Sequence, residues 1–545
     1  MRYTLLLTTL VFLVACTPET PADMVVYGKI WTGNPLHGYA EAMAIQGDTI
    51  IAVGSRNEMV NYEGEHTEII SAPDGGLVVP GFIDTHIHFV DGGFRLSSVQ
   101  LRDAKTPQEF INRIRAYAAT QPDGTWITGG DWDHENWGGE LPTRDWIDSV
   151  TQNHPVWINR LDGHMALANS AALRAAGINE KVKDVPGGTI VRKRGTLTGV
   201  FKDNAQAYID QAVPAPSAAQ EDAALDAAMN YVASLGVTSV HNMSGYWDAL
   251  KRARQQNRLI TRIYAGQSIE RWKEVADEIR TNGKGDDWLR FGAVKVFMDG
   301  SLGSHTAAFM EPFSDAPNDS GFLVTEKDKL YQLIKSADSA GLHPMVHAIG
   351  DRAIRTLLNI FAQVEEENGS SHRRFRIEHA QHIHPADISR FASQKIIASM
   401  QPYHAIDDGR WAEKLIGKER IKTTYAFKSL MDAGAMVAFG SDWFVAPPTP
   451  LEGIYAAVTR RTLDGKNPEG WVPHQKITVE QALVAYTLNG AYASYEENRK
   501  GSLMQGKLAD FVVLEEDITS VDPARINEVS VLRTVVGGRT VFEKK

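Results

Sequence analysis

A chain of 545 residues is too long for one compact core, so two or three domains are expected. Its 43% hydrophobic and 23% charged residues give an ordinary globular composition, and a formal net charge of −11 argues against nucleic acid or an anionic surface as partner. The single cysteine, Cys16, excludes an internal disulfide, and it excludes a cysteine nucleophile or thiolate metal site elsewhere in the chain.

In chain order, residues 1–16 read as an export segment. Arg2 supplies the positive start, Thr4 to Val14 form a short apolar run, and Leu13-Val14-Ala15-Cys16 resembles a bacterial lipobox. The run is about half the ~20 residues that span a bilayer, so a lipid on Cys16 is the expected membrane contact, in a bacterial cell envelope. Residues 17–23 read as a flexible tether. From Met24 to Pro80, short apolar runs such as Val25 to Tyr27, Ala42 to Ile45 and Thr49 to Val53 alternate with Gly and Asp turns. The far end repeats the pattern at Asp510 to Leu514, Val529 to Val536 and Thr540 to Phe542. Neither stretch has enough strands for its own core, so 24–80 and 500–545 are expected to pair into one small β-sandwich.

Between them runs a βα alternation with eight candidate strands. They are Leu77 to Phe89, Val237 to His241, Ile260 to Ala265, Phe291 to Met298, Leu342 to His347, Phe375 to His379, Ile396 to Met400 and Ala435 to Gly440. Short apolar runs suit strands buried on both faces, and Ser217/Gln220 and Thr478/Gln481 have capping-box spacing at helix starts. The pattern predicts an α/β fold, a TIM-type (β/α)8 barrel over 81–94 and 226–499. Residues 95–225 are far too long for one βα connection and are read as an insertion covering the barrel mouth. The insertion holds Trp126, Trp132, Trp137, Trp146 and Trp157, which are expected to wall a small-molecule pocket.

Candidate chemical residues gather at one end of these strands. His86 and His88 share a face where the first strand ends, since residues two apart on a strand point the same way. His347 ends the fifth strand and His379 the sixth, and Asp442 follows the eighth. Active sites of such barrels assemble at the strands' C-terminal ends. His343 lies at the opposite end of its strand, and His382 and His384 fall in the next helix start. Lys295 sits inside the apolar run Ala293 to Phe297, where an ammonium is costly; carboxylation by CO2 would make it an anion able to bridge two metals. His134 lacks the second histidine of a zincin motif and reads as a surface residue. Walker, dinucleotide and Gly-x-Ser-x-Gly patterns are absent from the sequence.

Pro80-Gly-Phe-Ile-Asp-Thr-His-Ile-His88, Lys295, His347 in His-Ala-Ile-Gly-Asp, Glu378-His379-Ala and Ser441-Asp442 resemble the metal-site series of the amidohydrolase superfamily. Gly130-Asp-Trp-Asp, Asp162-Gly-His-Met-Ala-Leu-Ala-Asn and Phe297-Met-Asp-Gly-Ser-Leu-Gly-Ser bring the match closest to its family-3 branch, with YtcJ-like proteins and N-substituted formamide deformylases. The resemblance runs from Val25 to Lys545 and implies two divalent metal ions, zinc given so many histidines. It implies that His86, His88 and Asp442 hold one ion, and His347 and His379 the other, with carboxylated Lys295 bridging. Asp442 is then the catalytic residue that orients the attacking water and moves its proton to the leaving nitrogen. Asp131, Trp132 and His164 are expected to contact substrate. The expected reaction is hydrolysis of a carbon–nitrogen, non-peptide bond in a small N-substituted amide. Esters, lactones and cyclic amides are alternatives on the same centre, and a non-catalytic lipid-anchored binding protein is a third.

Overall fold

The computed structural model of the protein describes residues 21–545 except 35, 37 and 370. The expected export segment, Cys16 and residues 17–20 of the tether lie outside the described residues. No helix of the described residues is long and apolar enough to cross a membrane.

Eight parallel strands form the central sheet in chain order: Phe82–Ile87, Val237–Asn242, Arg262–Ser268, Leu289–Phe297, His343–Ala348, Arg376–His379, Ile397–Met400 and Met436–Phe439. Each of the eight predicted strands has its counterpart here. The sheet closes just beyond the last strand, where Asp442 N–H donates to His86 C=O and His88 N–H to Trp443 C=O, both at 2.7 Å. The seam of this TIM barrel is therefore sewn by three of the expected metal-ligating residues. Helices between the strands bury apolar faces on the barrel, and the capping boxes at Ser217/Gln220 and Thr478/Gln481 form as expected.

The barrel axis is unusually polar. Arg376 donates to His241 Nδ1 and Ser399 Oγ, and Tyr264 lies 3.3 Å from His343 Nδ1, all fully buried. Aliphatic layers ordinarily fill this space.

The run predicted as one strand from Leu77 is split at Gly81. Leu77–Pro80 pairs antiparallel with Phe511–Leu514 in a sheet built from both chain ends, whereas Phe82–Ile87 starts the barrel. A Cβ on Gly81 would sit 2.2 Å from Thr238, so only glycine lets the two sheets meet there. The two ends, expected to form a β-sandwich, instead join in one continuous sheet of eight strands, because Leu77–Pro80 bonds to strands from both ends. One apolar cluster joins Val26, Met43 and Ile45 with Phe511, Val513 and Val535.

The long segment after the first barrel strand carries its own six-stranded sheet. Its order is Gly188–Lys193, Thr196–Asp203, Met165–Ala168, Val156–Arg160, Ile127–Trp132 and Val99–Gln100. Two apolar clusters of its own lie against this sheet.

Candidate metal centre

Each expected histidine ligand has one ring nitrogen already committed. His86 Nδ1 lies 2.7 Å from the Glu378 carboxylate. His88 Nδ1 lies 3.0 Å from Ser244 Oγ, whose hydroxyl is itself donated to Asp91. His379 Nδ1 is 2.8 Å from Gln401 Oε1, and His347 Nε2 is 3.0 Å from the Gly300 carbonyl. All four partners are acceptors, so the committed nitrogen carries the hydrogen and the other keeps its lone pair. The remaining lone pairs belong to Nε2 of His86, His88 and His379 and to Nδ1 of His347.

These rings stand together. Ring centroids are 5.8 Å apart for His86 and His88, 4.7 Å for His86 and His379, and 4.5 Å for His347 and His379. Asp442 Oδ1 lies 3.3 Å from His86 Nε2 and 3.4 Å from His88 Nε2, and it is buried without a hydrogen-bond partner. Electron-pair donors converging around an orphaned carboxylate oxygen repel one another unless a cation sits among them. The residues therefore fit a divalent metal. Asp442 and His379 hold φ of 61° and 71°, a left-handed conformation uncommon for residues with a Cβ and concentrated at functional sites.

Burial acts differently on the histidines and on the carboxylate of the set. It pushes His347 and His379 well below the ordinary histidine range, so both are neutral imidazoles. Burial opposes ionisation of Asp442, and only where His86 carries a second proton does its charge hold the carboxyl well below the usual range. Lys295, 5% exposed, is pushed down to about 8 by burial, and its Nζ lies 3.3 Å from His86 Nε2. A lowered pKa enlarges the fraction of free amine, the form that reacts with CO2.

A cavity of about 310 Å³ opens from this centre. Its walls combine barrel residues such as Phe297, Trp411 and Phe444 with insertion residues such as Asp133, Asp162 and Asp203. His164 lines it, with Nδ1 2.6 Å from Asp203 Oδ1 and its ring 4.9 Å from that of His347.

Four expectations do not survive. Trp132 does not reach the cavity: it is fully buried in an insertion core, and its Nε1–H donates to the Ile158 carbonyl at 3.0 Å. Asp131 is likewise turned away, accepting from Asn159 Nδ2 at 2.7 Å and lying 3.4 Å from Arg95 Nε. The neighbouring Asp133 lines the cavity instead. The other four insertion tryptophans pack on the two insertion cores, so the aromatic wall comes from barrel loops. His134 is not on the surface but 5% exposed, with Nδ1 accepting from Arg160 Nε.

Sequence alone assigned no role to Glu378, which it placed only within a motif, nor to Gln401, Asp203 or His404. His404 is buried, its Nε2 has no partner, and its donor atom lies within 4.8 Å of those of His379 and Asp442. The available signal was position: Gln401 and His404 follow the seventh barrel strand at its C-terminal end, where sites assemble.

Fold and site together define a metal-dependent hydrolase built on a TIM barrel. The chain belongs to the amidohydrolase family, whose model matches residues 70–542. It is similar to the protein LONG AFTER FAR-RED 3 of Arabidopsis thaliana (37% identity; 96% of this chain, 92% of the relative). It is also similar to the putative amidohydrolase YtcJ of Bacillus subtilis (32%; 95% and 98%) and to the N-substituted formamide deformylase of Arthrobacter pascens (26%; 96% and 98%). Among solved structures, it resembles an uncharacterized metal-dependent hydrolase from Pyrococcus horikoshii, with a TM-score of 0.73, 28% identity and coverage of 92% and 99%. The protein is thus a hydrolase of the amidohydrolase family.

Proposed function

We propose that the enzyme hydrolyses a small N-substituted amide. The observation carrying this reading is the set of four imidazoles, each with one nitrogen committed, gathered round the Asp442 carboxylate. His86, His88 and Asp442 would hold one divalent ion, and His347 and His379 a second, with carboxylated Lys295 between them. Zinc suits so many imidazoles. Ions held there supply Lewis acidity and make hydroxide available at neutral pH.

The chain's own groups do the rest. The buried Asp442 carboxylate accepts the proton of the attacking water and passes it to the leaving nitrogen as the C–N bond breaks. His164, held by Asp203, lies beside His347 where a bound amide must pass, and contacts it there. The insertion residues over the mouth exclude bulk water, and about 310 Å³ admits only a small substrate. The name of the deformylase relative supports amides as the class. We further propose that Cys16 is lipidated and holds the enzyme to the bacterial cell envelope, on the strength of the Leu-Val-Ala-Cys segment.

The test is metal analysis with a panel of N-substituted formamides, other amides, esters, lactones and cyclic ureas. Close to two zinc ions per chain and turnover of amides are expected, with Asp442→Asn lowering kcat by about 10³-fold in a folded protein. Full activity in metal-free protein, or in Asp442→Asn, overturns the mechanism. Turnover of esters or lactones alone overturns the substrate class.

A further inference from the structure

Below the candidate centre, towards the barrel interior, lies a charged pair that holds no ligand and touches no cavity. Arg376 and Glu378, two residues apart on the sixth strand, are both 0% exposed. Arg376 Nη2 donates to Glu378 Oε2 at 3.1 Å, and its Nε lies 2.8 Å from Glu378 Oε1, an ion-pair contact without hydrogen-bond geometry. The guanidinium is pinned in turn by three other strands. The two Nη2 hydrogens are shared among Glu378 Oε2, the Thr85 carbonyl at 2.7 Å and Ser399 Oγ at 3.0 Å, and Nη1 donates to His241 Nδ1 at 2.9 Å. Glu378 Oε2 then receives His86 Nδ1–H at 2.7 Å.

We infer that Arg376 is a positioning residue for the metal centre: through Glu378 it fixes the tautomer and orientation of the His86 ring. The inference rests on the reading that His86 Nε2 is a metal ligand. Stability alone is a weak reason for such a pair, because well-packed apolar residues commonly replace a buried ion pair at little cost. What an apolar replacement cannot do is accept a hydrogen bond from His86 Nδ1. A carboxylate there keeps the hydrogen on Nδ1, leaves the lone pair on Nε2 and raises its basicity. A carboxylate without Arg376 would be a buried anion with one partner, free to turn towards Lys295 or the centre itself. The four-strand anchorage removes that freedom. A lysine could supply the charge but not a planar guanidinium whose two terminal nitrogens reach three other strands at once.

The experiment compares wild type, Arg376→Met, Arg376→Lys, Glu378→Gln and the double variant Arg376→Met/Glu378→Gln. The double variant removes both charges, so it guards against a single variant that fails to fold. The zinc dissociation constant is read by chelator competition, and the visible spectrum is recorded after loading with Co2+. Arg376→Met and Glu378→Gln should each weaken zinc about 10- to 100-fold and shift the cobalt bands, with Arg376→Lys in between. The double variant should be no weaker than the worse single one, because the two residues act through one hydrogen bond. Independent, multiplying effects would mean two unrelated structural roles and overturn the inference. So would wild-type zinc affinity and an unchanged cobalt spectrum in Arg376→Met or the double variant. Wild-type protein that binds no zinc would instead overturn the metal reading, and this inference with it.

Discussion

Gly440→Ala should damage the metal centre without replacing any ligand. Gly440 lies between the last barrel strand and Asp442, with a φ outside the left-handed region, so alanine is admissible on backbone grounds. Space is the obstacle. An added Cβ would stand 2.5 Å from His86 N, 2.7 Å from Asp84 Oδ1 and 3.1 Å from Thr85 N, and two of these atoms are backbone. Ordinary contact needs about 3.5 Å, so the seam must open by about 1 Å. The two 2.7 Å bonds that close the barrel, Asp442 N–H to His86 C=O and His88 N–H to Trp443 C=O, would stretch to about 3.7 Å and fail. Each is worth about 1 kcal/mol net, which puts the local cost at about 2 kcal/mol. The functional cost is larger. His86, His88 and Asp442 would part by about 1 Å, a displacement able to reduce kcat/KM about 100-fold. Chelator competition, kcat/KM on the best amide and the rate of heat inactivation are the measurements. Gly440→Ala with wild-type zinc affinity and turnover would refute the claim that the seam positions the ligands.

Trp132→Ala should cost about 3–5 kcal/mol of insertion stability, since the ring is fully buried, yet leave the ranking of substrates unchanged; a change in ranking without loss of stability would contradict its placement. Stability should fall on acidification below pH 6.5. Burial pushes His134, His343 and His382 from 6.5 to about 3, so the folded state keeps them neutral while the unfolded chain takes up protons. The loss begins at the unfolded value and continues down to about 3, at up to about 4 kcal/mol per pH unit for three groups. Urea midpoints equal at pH 7 and pH 5 would refute it. For export, wild type should fractionate with membranes, and Cys16→Ser should be unprocessed or released with unchanged specific activity; wild-type protein soluble in the cytoplasm would exclude the anchor.

The sequence by itself determined the barrel and its catalytic rim. Eight strands buried on both faces leave short apolar runs whatever packs on them, and a strand's polarity is fixed by chain direction, so His86, His88, His347, His379 and Asp442 could be assigned to one end. The pairing of the chain's two ends followed similarly, from strand runs too few to stand alone. Only the tertiary structure decided what those residues face. Alternation along Ile127–Trp132 says which side chains share a side, but not which side meets the barrel; that depends on how the insertion docks, and it turned Trp132 inward and brought Asp133 to the cavity. Composition likewise could not distinguish tryptophans that build an insertion core from tryptophans that wall a pocket, because burial favours the same side chain in both places. The supporting groups were the least legible. Glu378, Gln401, Ser244 and the Gly300 carbonyl come from different parts of the chain, and each became meaningful only when folding set it beside the idle nitrogen of a histidine.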